Sequence, residues 1–170
     1  PGTAMASDVT LIVQGPDGER EIPAEEFYFG MYATDLGPSE LLTRVEVPSA
    51  AGAVGTYAKK ASPSSGYAMV GVAALLEIDD GTVTSARGGA NGVMDSGVRL
   101  GPVEDALAGE SLDEETIAAA AERAGEDLDE AMMMDDLQAS GEFRLQLLEV
   151  YAERALTSAV EAASAPQAAD

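Results

Sequence analysis

The sequence contains no cysteine, no histidine and no tryptophan, and its only lysines are the neighbours Lys59 and Lys60. Without cysteine or histidine, this chain forms no disulfide, thiolate zinc site, bound iron–sulfur cluster or imidazole catalyst of its own. Any redox chemistry therefore requires an organic cofactor or a partner subunit. Positive charge is scarce as well: nine Lys and Arg stand against 31 Asp and Glu, a formal net charge of −22. That balance argues against nucleic acid and anionic membranes as partners, because both are bound through cations that displace counterions. High salt would screen the self-repulsion of such a surface, so a halophilic host is one reading and an acidic protein of an ordinary cell is the other. No stretch approaches the roughly 20 apolar residues of a membrane span, and no basic-then-apolar signal opens the chain. A cytoplasmic protein is expected.

What is present is a chain of 170 residues with 46% hydrophobic content, enough to bury one real core. Its longest apolar run, Ala68 to Ile78, has no proline and leads into Asp79-Asp80-Gly81. It reads as a buried strand entering a tight hairpin, with Thr82 to Arg87 returning antiparallel until Gly88-Gly89-Ala90-Asn91-Gly92 breaks it. Before it, Ser62-Pro63-Ser64-Ser65-Gly66 is a loop and Val54 to Lys60 a further strand. Earlier still, residues 1 to 8 read as an irregular start. Val9 to Gln14 and Glu19 to Ile22 form a small hairpin around Gly15-Pro16-Asp17-Gly18. Pro23 to Gly30 is an aromatic knot, and Leu41 to Val47 alternates as a half-buried strand ended by Pro48.

From about residue 102 the period changes to that of helices. Val103 to Leu107 makes a short one ended by Gly109. Ser111-Leu112-Asp113-Glu114 matches a capping box with Ser111 as the cap, opening a helix that ends near Gly125. Met132-Met133-Met134 is an adaptable apolar linker. Ser140 caps a last helix whose repeating positions are Phe143, Leu147, Val150, Tyr151 and Ala155. Strands first and helices after imply an α+β fold: an antiparallel sheet of three to four strands, about three helices on one face, and a small hairpin in front.

Several stretches resemble the FAD-binding medium subunit of carbon monoxide dehydrogenase and other molybdenum hydroxylases such as xanthine dehydrogenase. They are Ile22 to Phe27 with Gly30, Leu36 with Glu40-Leu41-Leu42 and Val45 to Pro48, Tyr57-Ala58-Lys59 through Gly66-Tyr67-Ala68 to Ala73, Gly88-Gly89 to Val98-Arg99, and Asp135 to Ser140 with Glu142-Phe143-Arg144. The resemblance covers roughly residues 19 to 160. It departs at Gly66, where the family usually has Asp. The two glycine-rich loops that cradle the FAD pyrophosphate in the family are not among these residues. The resemblance thus implies the last hairpin of an FAD-binding domain at 1–22, the C-terminal domain of the flavoprotein at 23–165, and a disordered tail at 166–170.

It further implies that Lys59 meets the negative flavin or its pyrophosphate, that Tyr67 lies beside the isoalloxazine and controls access of the oxidant, and that Leu42 makes an apolar contact with the flavin. A strand lysine is otherwise solvated, a loop tyrosine an anchor and a strand leucine core, so these roles rest on the resemblance. Lys60 is expected on the opposite, solvent-facing side. Partners implied are a molybdenum-bearing large subunit and an iron–sulfur small subunit, whose electrons reach FAD and then an acceptor. No residue here is expected to act as acid, base or nucleophile, nor as a metal ligand, and the fragment alone is not expected to retain FAD. A non-catalytic interaction module that kept the fold and lost the flavin is the alternative.

Overall fold

The computed structural model describes residues 1–164; the tail expected at 166–170 lies outside the described residues. The opening residues are a short helix, α1 (Gly2–Ala6), rather than an irregular start. Composition hid it because five residues, four of them small, carry no helical period. It is held by burial instead, with Met5 joining Val9, Leu11, Val13, Ile22, Ala24 and Phe27 in a small core. The expected hairpin follows as β1 (Thr10–Gly15) and β2 (Gly18–Pro23), turned at Gly18 with φ +121°. The knot is α2 (Ala24–Phe27) and a miniature hairpin of β3 (Tyr28–Gly30) and β4 (Ala33–Thr34). Phe27 and Tyr28 meet edge to face, ring centres 5.1 Å apart.

Strand β5 (Leu41–Glu46) differs from expectation in two ways. It pairs with β1, giving a three-stranded antiparallel sheet of order β2-β1-β5, instead of extending the sheet that follows. It is also exposed at every position, not half-buried. Its alternation specifies two faces, yet nothing among the described residues covers either.

The second sheet is antiparallel with order β6-β7-β8-β9, from β6 (Ala53–Ala61), β7 (Ala68–Asp79), β8 (Thr82–Asn91) and β9 (Val98–Arg99). Asp80 (φ 47°) and Gly81 (φ 78°) make the tight turn expected between β7 and β8. Strand β8 does not break at Gly88; it runs on through Gly88, Gly89 and Ala90. The glycine is there for close approach. A Cβ on Gly89 would sit 2.2 Å from the Gly2 carbonyl and 2.7 Å from Met5 Cβ, so α1 packs directly on this strand.

Helices α3 (Gly101–Leu107), α4 (Glu114–Glu122) and α5 (Gly141–Ser164) complete the α+β fold. Val70, Val72, Ala74 and Leu76 of β7 form one core with Leu107, Ile117, Leu148, Ala152 and Leu156. Asp113 rather than Ser111 caps α4, its Oδ1 accepting from the Thr116 N–H at 2.9 Å, while the Ser111 hydroxyl donates to the Asp113 carboxylate. Ser140 does accept from the Phe143 N–H at the start of α5. On α5 Tyr151 and Ala155 are buried as expected and Leu147 packs against the core, but the stripe also takes in Arg144, Leu148, Ala152, Leu156 and Ala159, while Phe143 and Val150 are exposed. Among the described residues no helix is long and apolar enough to cross a membrane.

Candidate functional site

Cross-strand pairing decides which way the two lysines look. Lys60 pairs with Val70, which is fully buried in the core beneath α5, and Lys59 pairs with Gly71. Paired residues project to the same face, so Lys60 shares the helix side with Thr56, whose hydroxyl donates to the Ala155 carbonyl at 2.8 Å. Lys59 shares the opposite face with Tyr57, two residues before it. Here the strand alternation gives what the sequence implies: the lysines face apart and both are exposed.

The loop after β6 closes on itself. Ser62 is buried, its N–H donates to the Tyr67 carbonyl at 2.7 Å, and the Gly66 N–H donates to the Ser62 carbonyl at 2.9 Å. Gly66 has φ +71°, a left-handed conformation that glycine adopts without strain. Its carbonyl accepts from Lys59 Nζ at 3.0 Å. This contact brings Lys59 beside Tyr67, whose side chain is 80% exposed. Leu42 is half-exposed on β5, in the other sheet, and is not part of that cluster.

Two members of this face were not singled out from the sequence. The Tyr57 hydroxyl and Asn91 Oδ1 lie 3.3 Å apart, linking β6 across β7 to the end of β8. Gly71 makes the link possible, since a Cβ there would meet the Tyr57 hydroxyl at 2.1 Å. The alternation Tyr57, Lys59 was available as a clue; Asn91 is 34 residues away and was not. Asn91 also borders a cleft of about 460 Å³ between the β3–β4 hairpin and residues 91–97, lined by Tyr28, Met31, Tyr32, Met94 and Asp95 among others. Burial pushes the Tyr28 phenol above its ordinary pKa.

The same side of the molecule is fastened by ions. Arg87 binds Asp8 at 2.7 Å, and Arg99 binds Asp8, Glu25 and Glu104, the last two at 2.8 Å. Burial pulls the Asp8 carboxyl upward, but hydrogen bonds from Arg87 and Arg99 outweigh it and hold the group below its usual range. Lys59 differs from these arginines. Among the described residues it has no carboxylate partner, only a carbonyl, so its charge stays uncompensated. The arrangement offers an exposed cation, exposed aromatic rings and, past Asn91, a largely apolar cleft. It is suited to holding a planar, anionic ligand.

Comparison with known proteins is decisive at this point. Residues 55–159 match the family model described as CO dehydrogenase flavoprotein C-terminal domain, and residues 1–50 match that of the FAD binding domain in molybdopterin dehydrogenase. The chain belongs to the CO dehydrogenase flavoprotein family. It is similar to the carbon monoxide dehydrogenase medium chain of Hydrogenophaga pseudoflava, 26% identical over 94% of this chain and 55% of that one. It is also similar to the nicotine 6-hydroxylase medium subunit of Paenarthrobacter nicotinovorans, at 29% identity with the same coverage. Among solved structures, quinoline 2-oxidoreductase from Pseudomonas putida 86 superposes with a TM-score of 0.87 at 30% identity, covering 97% of this chain and 56% of that one. The chain thus spans about half the length of the flavoprotein relatives it matches.

Proposed function

We propose that this chain is part of the FAD-carrying medium subunit of a molybdenum hydroxylase, and that the sheet face bearing Lys59 covers the flavin. The observation that carries this reading is Lys59 itself, a cation without a carboxylate partner among the described residues, set beside Tyr67 in a chain of net charge −22. The residues fit the cofactor. An ammonium has three donors, and the Gly66 carbonyl uses one of Lys59's, leaving two and a full charge for a negative group. When bound, FAD supplies the redox chemistry between electrons from the iron–sulfur clusters of a small partner subunit and an external acceptor. The substrate is oxidised in a molybdenum-bearing large subunit.

In this reading Lys59 anchors negative charge, Tyr67 shields the flavin and sets how the oxidant approaches, and Leu42 contributes an apolar contact from β5. No side chain of this site moves a proton. The complex is assigned to the cytoplasm, and its acidic surface to a salt-rich one.

The visible spectrum tests the proposal. The chain extended to the length of its relatives should purify yellow with one flavin, and the 170-residue chain alone should be nearly colourless, because most of the backbone that binds the pyrophosphate in the family is not among these residues. Stoichiometric flavin surviving gel filtration on the 170-residue chain would contradict this division of labour. An extended chain that never takes up flavin would favour a non-catalytic interaction module.

A further inference from the structure

Arg20, Arg44, Arg87, Arg99, Arg123 and Arg144 each close an ion pair with a carboxylate of the chain itself. Among the described residues the side-chain cations that close none are Lys59, Lys60 and Arg154, whose guanidinium lies 4.8 Å from the centre of the Tyr151 ring. All three belong to one strip, formed by β6 and the neighbouring flank of α5. A groove of about 560 Å³ lies along this strip, lined by Ala58 and Lys59 on the strand and by Val150, Tyr151 and Arg154 on the helix, with Lys60 next along the strand beyond its lining. Glu153 and Glu161 also line it from the helix. Val150 is 41% exposed here, an apolar surface with no cover.

Strand β6 is the outermost in its sheet and nine residues long, paired among the described residues only with β7. Its other side presents backbone donors and acceptors in the pattern that accepts a further strand. A second copy's β6 would bring two more lysines to the same strip, and a basic segment would be repelled. Acidic chains are repelled by the rest of a molecule with net charge −22 and, among the described residues, find side-chain cations without a carboxylate partner only along this strip.

We propose that the β6 edge and its α5 flank are a docking strip for an extended, acidic segment of a partner protein, which adds beside β6 as a further strand. Lys60 and Arg154 supply the charge and Val150 an apolar contact. This goes beyond the flavin reading and does not depend on it: the charge it uses comes from Lys60 and Arg154, and Lys59, which also borders the groove, is left unchanged in the test.

The test is fluorescence anisotropy of a labelled nine-residue peptide alternating glutamate and valine, matched to β6 in length, titrated with the 170-residue chain in dilute potassium chloride. Saturable binding is expected, weakened about tenfold by Lys60→Glu or by Arg154→Glu and lost when both are present. A peptide with lysine in place of glutamate should not bind, and N-methylation of alternate amides should abolish binding of the acidic one. Matching circular dichroism and melting temperatures verify that the variants fold. Absence of saturable binding to the parent chain overturns the proposal, as does binding that survives the double reversal or the N-methylation. The lysines would then serve only to keep a long edge from pairing.

Discussion

Arg144 and Asp136 close an ion pair of 2.8 Å where α5 begins, the arginine buried and the carboxylate partly exposed. The same guanidinium donates to the carbonyls of Met69, at 2.6 Å, and Gly92, at 2.7 Å. One side chain thus joins the last helix to the start of β7 and to the residue after β8, two residues from Tyr67 and next to Asn91. Asp136 is held in place in turn by the N–H groups of Gln138 and Ala139, at 2.8 and 3.1 Å.

Arg144→Ala should therefore be among the most damaging single changes in the chain. It strands two carbonyls and a carboxylate that the guanidinium now satisfies, at a cost of about 3–5 kcal/mol. For a domain of this size that lowers the melting temperature by roughly 6–20 °C. Asp136→Asn should cost less, because its backbone acceptor role survives. Thermal unfolding followed by circular dichroism measures both, and equal melting temperatures for Arg144→Ala and the parent would show that the junction carries no load.

Two glycines on the face opposite α5 should respond differently to the same methyl group. At Gly89 the obstacle is backbone, so Gly89→Ala must displace α1 and should cost about 1–3 kcal/mol. At Gly71 the obstacle is the far end of the Tyr57 side chain, which can swing aside. Gly71→Ala should lose only the contact with Asn91, about 1 kcal/mol or less. Amide exchange at residues 2–6 separates the two: Gly89→Ala should raise it strongly and Gly71→Ala should not.

Acid should unfasten the N-terminal sheet. Hydrogen bonds from Arg20 and then from the Gly37 N–H pull the Glu40 carboxyl from 4.5 down to about 2, against a smaller opposing effect of burial. A folded-state value below the unfolded one means the contribution to stability is complete above pH 4.5 and is lost as pH falls toward 2. Glu40→Gln should flatten the fall of melting temperature across that window without removing it. Asp136, lowered chiefly by the Gln138 N–H, and Asp8 are depressed as well and keep their own share. An unchanged slope in Glu40→Gln would mean that Arg20 does not hold this carboxylate in solution.

Salt should act in the opposite sense to its usual effect on ion pairs. The carboxylates bound to arginine are a minority of the 31 present, so screening relieves more repulsion than it removes attraction. The melting temperature should climb by many degrees between dilute buffer and molar potassium chloride. A flat response would mark an ordinary acidic protein.

Local chemistry made much of this molecule legible. The run Ala68 to Ile78 ahead of Asp80-Gly81 specifies a buried strand and a tight turn whatever surrounds it, and Ser140 is a cap with one helix to serve. Where two residues offered the same chemistry, sequence did not choose: Ser111 and Asp113 both cap well, and Asp113 took the position. Gly88 and Gly89 read as a break because their reason, the approach of α1, is tertiary. Part of the stripe on α5 was misplaced because a buried arginine, Arg144, takes the core-facing position beside Phe143, which is exposed. At the candidate site, Lys59 stood out by rarity and by its resemblance to the flavoproteins. Tyr57 and Asn91 did not, because their meeting depends on the pairing of three strands.

Lys59 gives the sharpest test of the cofactor reading. In the chain extended to the length of its relatives, Lys59→Ala should weaken FAD retention about ten- to hundredfold, the scale of one lost charge-assisted hydrogen bond, and Lys59→Glu should weaken it further. The same changes at Lys60 should leave FAD content unaltered, because Lys60 pairs with Val70 on the helix side and Lys59 with Gly71 on the other. Tyr67→Ala should leave binding largely intact and change the rate at which reduced flavin meets its oxidant, since the exposed ring bounds the approach rather than the anion. Flavin content by absorbance and stopped-flow reoxidation measure the two effects separately. Sensitivity at Lys60 instead of Lys59 would place the flavin on the helix side of the sheet. Indifference at both positions would leave Lys59 as a strand cation satisfied by the Gly66 carbonyl alone, and the flavin would have to be held by other residues of the subunit.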